Sequence, residues 1–185
     1  LNLNKNLRIN NLSISLPTGR GLGVFADLMS NSILNNVFIN GGRKALILTR
    51  DGYEYEEGLP LVLSNFGIFN GNSNAAPAWG DDYLGSAVMF TPQTYINPQK
   101  NYLINWTVAN NKGIDGPFGI NGEAGVTIMN SIFWNNKPNT LGFTGTQDPS
   151  DTLLINFKNC LFFENSDSTF VTENTVIINN NNPLY

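Results

Sequence analysis

Two adjacent carboxylates, Asp81 and Asp82, stand between two aromatic residues, Trp79 and Tyr83. This is the sharpest chemical grouping in the chain. Neighbouring carboxylates offer oxygen ligands to Ca²⁺, with backbone carbonyls completing the shell. A carboxylate pair also supplies the acid and base of glycosidic cleavage. A solvated turn is the plainer reading of the pair. The flanking rings either present faces on which a sugar stacks or close their loop onto the body of the protein. A second group, residues 49–58, alternates acidic residues with Tyr53 and Tyr55. It suits a cation, a partner or a solvated edge. Arg43, Lys44 and Arg50 are the basic residues near this group, but no motif links them to the carboxylates.

The chain has no His. That removes Ser-His-Asp and Cys-His nucleophilic machinery and the usual zinc sites. A single cysteine forms no internal disulfide, and Cys160 falls where a small core residue is needed. No catalytic residue is assigned. The binding candidates are Trp79, Asp81, Asp82 and Tyr83. Asp81 and Asp82 are the candidate Ca²⁺ ligands, and no other cofactor is expected.

What must position these residues is a repeat. Six asparagines, Asn11, Asn36, Asn65, Asn105, Asn130 and Asn159, lie 25, 29, 40, 25 and 29 residues apart. Two positions before each is an apolar residue: Ile9, Leu34, Leu63, Leu103, Ile128, Phe157. Three positions after each is another: Ile14, Ile39, Ile68, Val108, Phe133, Phe162. The next position after the Asn is mostly apolar as well, ending in Ser131 and Cys160. In a strand, residues two apart share a face. Positions +1 and +3 therefore point inward together. Position −2 lies an odd number of residues from +1, so a straight strand cannot bury both. The chain must turn at the Asn, and Asn tolerates the left-handed conformation that a corner needs.

Stacking the repeats at the strand spacing of about 4.8 Å aligns the corner amides. Each has a donor and an acceptor, so the column satisfies itself as an internal ladder within the wall. Strand-like runs fill the intervals at 23–26, 45–49, 87–90, 141–144 and 169–172, about three short strands to a coil. No convincing amphipathic helix is present. The expected fold is all-β, a solenoid of about six to seven coils. The interval from Asn65 to Asn105 exceeds the others, and its surplus, residues 71–100, reads as an inserted loop carrying the candidate site.

The strings Asn130-Ser131-Ile132-Phe133-Trp134-Asn135-Asn136 and Asn159-Cys160-Leu161-Phe162-Phe163-Glu164-Asn165 resemble repeats of right-handed parallel β-helix proteins. Those occur in secreted and surface proteins of Bacteroidetes-type bacteria. The resemblance covers most of the chain and implies that fold; its matching residues build corners and core. Among β-helical enzymes, polygalacturonase-like hydrolases carry an Asp pair with further Asp, His and basic motifs that are missing here. Pectate-lyase-like proteins use acidic Ca²⁺ ligands and an Arg base.

With 185 residues the chain is one domain, 1–185, and reads as a segment of a longer protein. Its net charge of −4, with 13% charged residues, argues against nucleic acid. No apolar run of about 20 residues exists to span a membrane. Low charge, abundant Asn and Gly, and the resemblance favour a secreted or cell-surface location. Asn11-Leu-Ser and Asn105-Trp-Thr match the glycosylation pattern but are discounted as members of the internal ladder. Val176-Ile177-Ile178 begins a further strand, and 179–182 reads as a turn. The expected role is a non-catalytic scaffold or adhesin-like segment that contacts glycans through its loops. Its partners are other parts of its parent chain and a glycan or surface protein. The alternative is a polysaccharide lyase or glycoside hydrolase module whose site lies partly outside the segment.

Overall fold

The computed structural model describes residues 8–27, 33–50, 61–72, 88–92, 101–112, 118–121, 125–137, 141–144, 153–163, 170–173 and 176–181. All regular structure among them is β. In chain order the strands are β1 (Arg8–Asp27), β2 (Ile33–Arg50), β3 (Leu61–Phe69), β4 (Val88–Pro92) and β5 (Asn101–Ala109). They continue as β6 (Phe118–Asn121), β7 (Val126–Met129), β8 (Ile132–Trp134), β9 (Leu141–Thr144) and β10 (Leu153–Lys158). The last are β11 (Leu161–Phe163), β12 (Phe170–Glu173) and β13 (Val176–Asn181). No helix among the described residues is long and apolar enough to cross a membrane.

Every strand pair is parallel, and the strands form one connected sheet. The long strand β2 joins its two arms. The first half of β2 pairs with β3, while Leu46–Arg50 pairs with β4. From β3 the order runs β5, β7, β10, β13; from β4 it runs β6, β9, β12. Strand β1 lies along β2, and β8 lies between β5 and β11. Val88–Pro92, inside the long interval, is therefore an ordinary member of the sheet.

The register follows the sequence repeat. Ile9, Leu34, Leu63, Leu103, Ile128 and Phe157 pair successively as one row. Ile14, Ile39, Ile68, Val108, Phe133 and Phe162 form a second. Both rows face the core, and the residues of their central repeats are buried. Phe133 stacks on Phe162 at 5.2 Å and 10°, and Phe157 meets both rings edge-on. In the row just after the Asn, Phe66 and Trp106 stack at 4.5 Å and 11°.

All six frame asparagines have positive φ, between 50° and 61°. The expected corner is present. It breaks the strand at Asn130, between β7 and β8, and at Asn159, between β10 and β11, whereas β1, β2, β3 and β5 run through it. Neighbouring strands bend at the same place, so pairing resumes at once: Asn10↔Asn35 on one side, Leu12↔Val37 on the other. Another difference lies at the chain's end. Asn179–Asn181 continue β13 in register with Asn156–Lys158 rather than turning. The adjoining sheet supplies backbone partners that outweigh the turn preference of Asn.

The ladder itself is displaced from its expected position. Asn36 Nδ2 donates to Asn11 Oδ1 at 2.6 Å, Asn105 to Asn65 at 3.0 Å, and Asn159 to Asn130 at 3.3 Å. Asn65 donates instead to Asn35, which also accepts from Ser64 and donates to Asn10. These frame asparagines are exposed, so their ladder lies on the outer surface and not within the wall. The physical reason is the bend. With −2 and +1 both turned inward, the corner residue occupies the convex side and its side chain faces solvent.

A second corner follows five residues after the first. Asn70, Asn110 and Asn135 have φ of 57°, 58° and 48°, and Gly41 at the same frame position has φ of 87°. Asn70 Nδ2 donates to Asn40 Oδ1 at 2.8 Å, and Asn135 to Asn110 at 2.7 Å. Gly41 replaces Asn because a Cβ there would collide with the carbonyl of Leu16.

Candidate binding surface

Trp79, Asp81, Asp82 and Tyr83 lie outside the described residues, as does the acidic segment 51–58. Among the described residues there is no cluster of three or more His, Cys, Asp or Glu side chains. The only described carboxylates are Asp27 in β1 and Glu173 in β12. Cys160 is buried. Burial pushes its thiol above the ordinary value of 9.0, while hydrogen bonding with backbone groups of Ser131 and Lys158 works the other way.

The corners generate the local chemistry. Where the backbone turns left-handed, some ladder N–H and C=O groups lose their usual partners, and inside the wall each needs another. The residue just after the corner asparagine meets this need with its side chain. Trp106 Nε1 donates to Leu63 O at 3.0 Å, and Cys160 Sγ approaches Ile128 O at 3.5 Å. Asn111 Nδ2 donates to Ile68 O at 3.1 Å, and Asn136 Nδ2 to Val108 O at 2.8 Å. In all four the acceptor lies two positions before the preceding repeat's left-handed Asn. The freed N–H groups point the other way. Trp106 N donates to Ser131 Oγ, Gly71 N to Asn111 Oδ1, and Asn111 N to Asn136 Oδ1. Asn111, Asn136 and Ser131 are among the few buried polar residues. They form the true internal ladder.

Sequence reasoning missed this ladder. Its signal was the doublets Asn110-Asn111 and Asn135-Asn136, which recur 25 residues apart in step with the frame. The position after the frame Asn is mostly apolar in sequence, yet Trp106, Ser131 and Cys160 all use a polar atom there.

Between the two corners, positions +2 and +4 face outward. Pairing places Phe38 beside Gly67, then Thr107, Ile132 and Leu161. The companion row is Asn40, Phe69, Ala109, Trp134 and Phe163. Phe38, Trp134 and Phe163 are 46%, 44% and 53% exposed, and Ile132 is exposed as well. Phe38 and Phe69 approach to 5.1 Å across Gly67, where even a Cβ would press on both rings. Ala109 is buried because Phe69 and Trp134 flank it in the same row. The result is an apolar strip with rings toward each end, bordered by the two outer columns of asparagine amides.

Two positions beyond the second corner, Asn72, Lys112 and Lys137 pair as successive bridges. Lys112 and Lys137 are exposed neighbours of like charge. Arg43 occupies the same frame position; it is half-buried, and its Nε has no hydrogen-bond partner. Asn11 and Asn105, expected to be internal and so unfit for glycosylation, stand on the outer ladder. Both are exposed, so that reason falls away. Comparison with family models, with curated proteins and with solved structures returned no match.

Proposed function

We propose that this chain is a non-catalytic scaffold of an exported bacterial surface protein, adhesin-like in role. In this reading the parallel strands wind as a right-handed β-helix of about six to seven coils, and the scaffold contacts glycans. The observation that carries the reading is the outward strip holding Phe38, Phe69, Trp134 and Phe163 between columns of asparagine amides. Ring faces pack against the C–H faces of sugars, and amides both donate to and accept from hydroxyls. The Lys112 and Lys137 row beside it adds attraction for anionic substituents. The segment 71–100, with Trp79, Asp81, Asp82 and Tyr83, is the second contact in this reading.

A glycan array containing neutral and acidic oligosaccharides tests it. The wild-type chain should bind a defined subset. The double variant Trp134→Ala, Phe163→Ala should lose that binding with its melting temperature nearly unchanged, since both side chains are about half exposed. Trp79→Ala with Asp81→Asn measures the share of the long segment. An array without a bound glycan would remove the reading. Cleavage of a polysaccharide by the isolated chain would replace it with the enzyme alternative.

A further inference from the structure

Asn-Gly pairs occur in the chain at residues 40–41, 70–71 and 121–122. An Asn followed by glycine is prone to cyclise, because no Cβ hinders attack of the next backbone nitrogen on the Asn Cγ. Asn70 stands exposed at the second corner with φ of 57°. Asn110 and Asn135 hold the same column, but Asn111 and Asn136 follow them. Among the described asparagines of that column, Asn70 alone has glycine next.

The fold ties this pair to the following repeat. Gly71 N donates to Asn111 Oδ1 at 2.8 Å, and Gly71 O accepts from Lys112 N at 2.8 Å. Asn70 N donates to Ala109 O at 3.2 Å. Gly71 and Asn111 are both buried. The Asn111 oxygen is itself fixed, since its Nδ2 donates to Ile68 O and Ala109 O, each at 3.1 Å. Turning that oxygen away breaks both bonds inside the wall, where orphaned groups are costly. Cyclisation needs the Gly71 nitrogen to lose its proton and swing toward Asn70 Cγ. A buried N–H bonded to a fixed carbonyl does neither.

We infer that Asn70-Gly71 is a site of spontaneous backbone modification that Asn111 holds closed. When the bond to Asn111 opens, Gly71 N attacks Asn70 Cγ. A C–N bond forms and the Cγ–Nδ2 bond breaks, and Nδ2 leaves as ammonia with the proton from Gly71 N. Water then adds to one carbonyl of the cyclic imide and gives aspartate or, at the other, isoaspartate. No oxidant or cofactor takes part. Either product lacks the Nδ2 that donates to Asn40 Oδ1, and sets a negative charge in the outer amide column next to Phe69. Isoaspartate also lengthens the main chain at the corner by one atom, so the bond from Gly71 to Asn111 does not re-form. The change is a one-way mark of local opening.

Incubation in mildly alkaline buffer, followed by peptide mapping with mass spectrometry, tests this. Asn70 should convert more than about tenfold more slowly in the native chain than in the same chain unfolded in urea. Asn111→Ala should raise the native rate at Asn70 by about tenfold or more and leave Asn121 unchanged. Asn136→Ala is the control for general destabilisation. It removes a buried amide one repeat further on and keeps the acceptor of Gly71, so its effect at Asn70 should be much smaller. If Asn111→Ala does not fold, a urea series on the wild type takes its place. The Asn70 rate should then rise in proportion to hydrogen exchange of the Gly71 amide. A native chain that converts Asn70 as fast as the unfolded one overturns the inference. So does an Asn111→Ala rate that is unaltered or is matched by Asn136→Ala, and so does an Asn70 rate that departs from Gly71 exchange.

Discussion

At the scale of the residue, asparagine has two distinct uses in this molecule. The corner residues supply a left-handed backbone and bridge repeats in solvent, while the residue following a corner bridges them inside the wall. The difference should be measurable in unfolding. Asn136 accepts from the N–H and side-chain amide of Asn111 and donates to Val108 O, all buried. Asn136→Ala should cost about 3 kcal/mol or more, since each orphaned buried group costs about 1–3 kcal/mol. Asn130→Gly keeps the permitted φ and loses one exposed bond, so denaturant titration should find a change within about 0.5 kcal/mol. Equal losses at both positions would show that the outer ladder matters as much as the inner one. The frame Asn was legible in the sequence because its apolar companions kept step with it. Its side of the wall was not legible, since spacing alone does not say which side of a bend is convex. Cys160 adds a pH dependence of known sign. Its folded-state pKa is raised by burial, so the native chain holds the proton where the unfolded chain has lost it. This contribution is fully present below about pH 9.0 and diminishes as pH rises from there toward the folded pKa. Cys160→Ser should flatten that alkaline loss in chemical denaturation series; an unchanged slope would assign the loss to other groups.

At the scale of the element, the strands are held by side-chain rows more than by their own length. β8 and β11 have only three residues each, yet they carry Phe133 and Phe162 into one aromatic cluster with Phe157. Deleting a ring there leaves a cavity between parallel neighbours that cannot collapse without shifting the register. Phe133→Ala should cost about 3–5 kcal/mol in equilibrium unfolding. A loss under about 1 kcal/mol would mean that the surrounding rows repack. The inward columns, including this pair, were readable from the apolar positions at −2, +1 and +3. The second corner was less readable because its column mixes Asn with Gly41. Phe38, Phe69, Trp134 and Phe163 were hidden for another reason. Hydrophobic patterning takes an aromatic residue as a core vote, and only the alternation fixed by Phe133 and Ile39 turns Trp134 and Phe38 outward.

At the scale of the whole molecule, each repeat contacts chiefly the one before and the one after. Stability in such a stack is a sum of nearest-neighbour terms, and a terminal repeat has one neighbour instead of two. The burial pattern agrees with this. Strands β3 and β5 lie between paired neighbours on both sides, and their inward residues Leu63, Ile68, Leu103 and Val108 are fully buried. Among the described residues β1 has one paired side, and its inward residues Ile9, Leu12 and Ile14 remain partly open. In the 185-residue chain itself, local opening is expected to begin in β1 and to reach β3 and β5 last. Amide exchange in dilute solution should show the slowest exchange in Leu61–Phe69 and Asn101–Ala109, with Arg8–Ile14 at least tenfold faster. Uniform protection along the chain would mean that the repeats open as one cooperative block, and the nearest-neighbour account would fail.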